Sequence, residues 1–191
     1  MYERPSLSLY FDSNEPDFAT PYEYNYINKQ YKSVQHARAL ANTYFHDANY
    51  GVPGNSDAGA LNSWLIWQML GLYPVVTQPV YLIESPWFDD INITVNGNST
   101  LRITATGLDN AESYYVQSVK VNGQDWTQNW LEHDEVMLNG GTIEFELGSQ
   151  MTLWETGDSP PSPGARTRRA AARSPRCATG RVPAALFHID I

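Results

Sequence analysis

Two stretches of this sequence set carboxylates on backbone that resists a helix. Between Asp12 and Tyr26 the chain carries Asp12, Glu15, Asp17 and Glu23 among Phe18, Tyr22, Tyr24 and Tyr26. Glu15 precedes Pro16, which biases it towards extended geometry. Aromatic rings stack on the apolar faces of pyranoses. A carboxyl desolvated among such rings has a raised pKa, suited to a general acid. The plainer reading is an acidic surface loop with tyrosines packed beneath it. The second stretch runs from Gly51 to Gly59 and holds Asn55 and Asp57. Asp57 stands where a helix should begin, so it can cap free N–H groups and meet the positive end of the dipole. Capping accounts for Asp57 but not for Gly54 and Gly59, which would let another group approach the backbone closely. A carboxylate held ionised by a helix end suits a general base. One neutral and one charged carboxyl, from separate loops, is the pair that glycoside hydrolysis requires.

Other chemistries find little support. His36, His46, His133 and His188 are scattered, and Cys177 is the single cysteine, which excludes an internal disulfide and a cysteine-based zinc site. There is no phosphate loop, dinucleotide fingerprint or nucleophile elbow. Asn92-Ile93-Thr94 and Asn98-Ser99-Thr100 fit the N-glycosylation pattern, though such triplets are common in Asn- and Thr-rich sequence.

The elements that must carry these residues follow from periodicity. Val34, Ala37, Leu40, Ala41, Tyr44 and Phe45 fall on one face of a helix from Ser33 to His46, with Ser33 as its N-cap. Gly51, Pro53 and Gly54 stop it. A second helix runs from about Asp57 to Leu70, with Leu61, Trp64, Leu65, Gln68 and Met69 on one face and Gly71 as the C-terminal residue. Ile66 and Trp67 fall off that face, so this helix is apolar over most of its circumference and must be buried in a larger body. After Tyr73-Pro74 the period switches to two. Strands are expected at Val80–Glu84, Ile91–Val95, Thr100–Ala105, Tyr114–Val121 and Thr142–Leu147. Asn96-Gly97 and Asn122-Gly123 signal tight hairpins.

Length and composition bound the rest. The 191 residues are 42% hydrophobic, enough for a core. The net charge of −9 argues against binding nucleic acid through its phosphates. No run is long and apolar enough to span a membrane. From Asp158 onward six arginines face two acids, so the tail carries +4 and the preceding residues −13. The tail is rich in Pro, Ala, Arg and Ser and lacks periodicity, so it should be disordered. The organisation expected is helical over 1–74, an antiparallel β domain over 75–157, and a disordered basic tail over 158–191 that stands outside the fold.

Several of these motifs in order resemble glycoside hydrolase family 92, the calcium-dependent exo-acting α-mannosidases. They are Asn14-Glu15-Pro16, Pro21-Tyr22, Tyr24-Asn25-Tyr26, the run Pro53 to Leu61, Trp64, and Leu70 to Val75. The likeness continues through Glu84 to Asp89, Tyr115 to Gly123 and Gly140 to Ser149. It covers about residues 10–155. It implies an inverting mechanism and an α+β class: the C-terminal helices of an (α/α)6 barrel, then a small antiparallel β-sandwich. By this resemblance Glu15 matches the general acid, Asp57 the carboxylate that activates water, and Asn55 stands beside it. Calcium is implied as cofactor, with ligands not placed. The implied substrates are α-1,2-linked mannosides of N-glycans or mannan, and a role in glycoprotein deglycosylation and turnover is the alternative. Partners would be mannose-containing glycans or glycoproteins, with neither nucleic acid nor membrane. The resemblance implies a secreted or extracellular enzyme, with the cytosol as the other possibility. The family's chain is several times longer, so this sequence reads as its C-terminal piece, expected to be inactive alone. The competing reading is a non-catalytic carbohydrate-binding or structural β module presenting Trp87, Trp126 and Trp130.

Overall fold

The computed structural model describes residues 14–97, 99–162 and 188–190. Two 3-10 helices, Glu15–Asp17 and Thr20–Ile27, lead into α1 (Gln30–Tyr44). A third, Asp57–Gly59, leads into α2 (Ala60–Leu70). The strands follow as β1 (Leu72–Pro74), β2 (Val80–Ile83), β3 (Asp90–Val95), β4 (Ser99–Thr106), β5 (Tyr115–Val121), β6 (Gln124–Trp126) and β7 (Trp130–Glu132). The short α3 (His133–Val136), β8 (Gly141–Gly148) and β9 (His188–Asp190) complete the order.

The strands form two sheets: a three-stranded one, β1-β2-β7, and a six-stranded one, β6-β5-β8-β4-β3-β9. The small sheet is the middle layer of the molecule. Successive side chains of a strand point to opposite faces, and here both faces are covered. Leu72, Ile83 and Leu131 join Ile91, Ile93, Leu101, Ile103, Val119, Ile143 and Phe145 of the large sheet in one core. Tyr73, Val80 and Leu82 join Tyr22, Ala37, Leu40, Leu61 and Trp64 of the helical layer in a second. The boundary expected at 74/75 therefore falls inside the β1–β2 hairpin, where both cores meet.

The helices form for the reasons read in the sequence, with shifted ends. α1 begins at Gln30 rather than Ser33. Ser33 is not its cap: its hydroxyl is buried and donates to Asn25 Oδ1 at 2.5 Å. The cap comes from the far end of the chain, where Glu155 Oε1 accepts the Gln30 backbone N–H at 2.9 Å. α2 finds more cover than its apolar circumference suggested. Leu61, Trp64, Gln68 and Leu70 are buried, Trp67 packs against the large-sheet core, and Ile66 stays 46% exposed.

The β region departs from the expected all-antiparallel arrangement at one place. β4 and β8 pair in parallel, Leu101 opposite Gly141 through Thr106 opposite Glu146. The cause is topological. β8 lies between β4 and β5, which run in opposite directions, so it must be parallel to one of them; it is antiparallel to β5. The two expected hairpin turns are present, with positive φ at Asn96 and Gly97 and at Asn122 and Gly123. The expected tail divides. Residues 163–187 and 191 lie outside the described residues, whereas His188–Asp190 add a strand to β3, which corrects the expectation that nothing after 158 belongs to the fold. No described helix is long and apolar enough to cross a membrane.

Gly71 ends α2 in the left-handed region (φ +77°), and a Cβ there would sit 2.6 Å from the Pro86 nitrogen. Gly59 has nearly the same φ of +76°, but nothing lies within 4 Å of its would-be Cβ. The pair separates backbone strain from collision. Gly59→Ala should cost about 1 kcal/mol, the left-handed penalty alone. Gly71→Ala should cost about 3 kcal/mol or more, since Pro86 must also move. Urea unfolding of both variants checks this, and equal losses would show that Pro86 retreats freely.

Candidate functional site

Glu15 opens the first 3-10 helix, with Pro16 following, and its side chain is exposed. Asn55 and Asp57 are exposed on the loop before α2. The desolvation expected around Glu15 is therefore not provided by the described residues. The capping expected of Asp57 is not made either. Ser56 is the residue preceding the 3-10 helix Asp57–Gly59, which has no side-chain cap. Ala58 (φ 51°) and Gly59 (φ 76°) are both left-handed, so the backbone turns twice between Asp57 and α2. This carries Asp57 away from the helix end that would have held it.

The structure nonetheless mounts both segments on one helix. Ser56, between Asn55 and Asp57, donates its hydroxyl to Asn62 Oδ1 at 2.7 Å. Trp64 Nε1 donates to the Phe18 carbonyl at 3.2 Å, just after the Glu15 helix. Trp64 also packs near Tyr22 (6.2 Å between rings) and stacks on Phe45 (5.6 Å). Asn62 and Trp64 are two residues apart on α2, about 200° around its axis, so the two segments are anchored on opposite sides of the helix, Trp64 on its buried face and Asn62 on its exposed one. The sequence pointed to the helix but not to Ser56 and Trp64 as its anchors.

A cavity of about 400 Å³ opens between the end of α1 and α2, lined among others by His46, Asp47, Asn62, Met69 and Trp87. Glu15, Asn55 and Asp57 do not line it. Among the described residues no three His, Cys, Asp or Glu side chains are placed to hold a metal ion. Calcium takes six to eight oxygens, and the described carboxylates do not gather three of them at one point.

Behind this surface lie buried polar groups whose joining role the sequence does not announce. Asn25 donates to the carbonyls of Ile83 (3.2 Å) and Asn129 (3.1 Å), and Gln30 Nε2 donates to Ile83 O (3.2 Å) and Glu84 O (3.3 Å). Tyr22 is fully buried, stacked on Tyr73 at 3.9 Å, and donates to Gln68 Oε1. Arg38 lies between the rings of Trp87 (5.0 Å) and Tyr114 (4.8 Å). Its Nη1 bonds Asn110 Oδ1 and its Nη2 the Pro86 carbonyl. Burial pushes Arg38 down to about 10, with Tyr114, Glu84 and Tyr115 pulling it back. Burial likewise raises Glu84 well above the usual carboxylate range. A signal for Glu84 existed: it follows Val80 and Leu82 at period two, on the face that turns to the helices.

The tryptophans of the competing β-module reading are not displayed. Trp87, Trp126 and Trp130 are half-buried and packed on the two cores. Trp126 and Trp130 donate their ring N–H to the carbonyls of Trp130 and Asp158. They pack on the two cores rather than standing free as a row of exposed rings.

Known proteins agree with this architecture. A secreted glycosidase of Arthroderma benhamiae is 38% identical over 177 residues, 90% of this chain and 23% of that protein. An α-mannosidase of Bacteroides thetaiotaomicron, solved in complex with mannoimidazole, superposes with a TM-score of 0.75 at 24% identity, over 81% of this chain and 20% of its own. An inverting mannosidase of the same organism gives a TM-score of 0.66 at 25% identity, over 76% of this chain and 20% of its own. The chain thus spans less than a quarter of each. Residues 3–149 match the glycosyl hydrolase family 92 catalytic domain, and the chain belongs to that family of glycosidases.

Proposed function

We propose that this chain is the part of an inverting exo-α-mannosidase that presents two catalytic carboxyl groups. The observation that carries the reading is the common mount: the Glu15 and Asp57 segments are anchored to α2 at Trp64 and Asn62. In this reading Glu15 protonates the glycosidic oxygen. Asp57, with Asn55 beside it, takes a proton from the water that attacks the opposite face. Inversion leaves room for that water when the two carboxyl groups stand roughly 6.5–9.5 Å apart. The substrate class is α-mannosides, with α-1,2 linkages of N-glycans or mannan as the specific proposal and glycoprotein deglycosylation as the process it would serve. Calcium is proposed as a requirement of the complete enzyme, and secretion as its route, by analogy with the secreted relative.

Leaving-group dependence tests the two roles in the complete enzyme. Glu15→Gln should lower kcat by about 10²–10⁴ on a natural mannoside and far less on an aryl mannoside whose phenolate needs no proton. Asp57→Asn should cost heavily on both. Equal losses in Glu15→Gln, coupled to a weakened calcium requirement, would overturn the acid assignment and make Glu15 a cation ligand. Wild-type rates in Asp57→Asn would remove Asp57 from the mechanism.

A second expectation concerns this chain by itself. Its two carboxylates are exposed, so the water-excluding walls that acid catalysis needs are missing from the described surface. The purified chain should release no mannose from an α-mannoside, with or without calcium. Calcium-dependent release measured by a coupled assay would show that these residues suffice.

A further inference from the structure

Glu84 is a buried ionisable group that the glycosidase reading leaves unused. Its carboxyl follows β2 and is fully buried, and neither oxygen has a hydrogen-bond partner among the described residues. The groups facing it come from each layer packed around it: Tyr22 and Asn25 from the 3-10 helix Thr20–Ile27, Arg38 from α1, and Glu155 from the C-terminal strap, residues 149–158. None of them sets a donor within hydrogen-bond distance of its oxygens, although Asn25 and the Arg38 cation lie close enough to favour the ionised form in part. Tyr22 spends its hydroxyl on Gln68, and Asn25 spends its amide on the Ile83 and Asn129 carbonyls. Arg38 spends Nη1 on Asn110 and Nη2 on Ser85 and Pro86, and its Nε makes no hydrogen bond. Glu155 is a second carboxylate, 5% exposed, with Oε1 on the first N–H of α1 and Oε2 without a partner.

A fully buried carboxylate without a hydrogen-bond donor at its oxygens is disfavoured, and the like charge of Glu155 adds to that while the Arg38 cation offsets part of it. The uncharged acid is free of that penalty. We propose that Glu84 is a proton-operated lock: it is carried as a neutral carboxylic acid in the closed junction of helical layer, β2 and strap. Ionisation, with the proton passing to solvent, loosens that junction. The strap is the element able to yield. It has no regular strand: side-chain bonds hold its middle, Trp154 Nε1 to Gln30 Oε1 (3.1 Å) and Thr152 to the Val116 carbonyl (2.9 Å), and the Thr156 and Gly157 N–H groups donate to the Thr127 carbonyl at its end (3.0 and 2.9 Å). Burial is the largest cause that raises the proton affinity of Glu84. Glu155 adds to it, and Asn25 and Arg38 pull the other way. A carboxyl whose affinity is raised on folding contributes stability that is complete below its unfolded range. That stability is lost as pH climbs through the folded value. The junction is thus tightest in acid, and this inference stands whether or not the chain is catalytic.

Thermal unfolding of the full chain at about pH 4.5 and about pH 8 tests it. The wild type should melt lower at the higher pH by about 4 °C or more. Glu84→Gln, uncharged throughout, should lose most of that difference. Glu155→Gln should reduce it in part by removing the like charge. The same pH difference in wild type and Glu84→Gln would overturn the proposal. Infrared spectroscopy decides the case even if Glu84→Gln fails to fold. The wild type should show a carboxylic-acid C=O band near neutral pH that is absent from Glu84→Met, and a wild type lacking the band would overturn the lock.

Discussion

The end of β2 is the point on which the rest of the structure depends. The Ile83 carbonyl accepts from both Asn25 and Gln30, the Ile83 N–H donates to Asn129, and the Glu84 N–H donates to the Gly71 carbonyl at 2.8 Å. Three distant parts of the chain, around residues 25–30, 71 and 129, therefore converge on two consecutive residues. Buried backbone groups without partners are costly, and here a middle-layer strand ends with its last polar groups in the protein interior. Side-chain amides take the place of a further strand. Asn25 and Gln30 are fully buried for this reason, and the helical layer cannot slide over the small sheet without breaking both.

This explains which parts of the fold were legible in the sequence. The five longer strands follow alternating runs and were read to within a residue at either end. The two Asn-Gly turns announce themselves, because the left-handed conformation they need is one that few residues tolerate. β1, β6 and β7 are three residues each, too short for a period to emerge. The parallel pairing of β8 is a fact of topology that no local pattern carries. Ser33 reads locally as a cap, but a side chain 125 positions away does the capping, and a cap supplied from elsewhere leaves no mark nearby. The tryptophans taken as a display of aromatic surface are packing residues, and composition does not separate the two.

The candidate site is a reading of residue types, and its setting was not legible in the sequence. Glu15 and Asp57 were singled out by residue type and backbone restriction, and the described structure gives them exposure rather than the environments reasoned for them. Tyr22 and Asn25, read as part of a sugar-site segment, prove to be buried joinery between layers. The Tyr-Asn-Tyr sequence is explained in part by what the amide of Asn25 must do for Ile83 and Asn129. Family likeness at such positions reflects folding as much as catalysis.

A division of labour follows from these placements. Catalytic carboxyl groups need fixed separation and a controlled dielectric, and the two demands have different structural sources. Separation is a matter of anchorage. α2 is gripped at Leu61 and Trp64 in the helical core and at Leu70 in the other, so a loop fastened to its first turns inherits the rigidity of both cores. A controlled dielectric needs walls, and walls must stand on the solvent side of the carboxyl groups, where the described residues leave Glu15 and Asp57 open. The described residues therefore account for the position of the two carboxyl groups and not for walls around them. Glu84 marks the contrast: the same kind of group, a few ångströms inside the layer boundary, is already shifted by burial in the layers described here. The exposed pair is thus located by the rigid core beneath it, whereas Glu84 is both located and desolvated by that core.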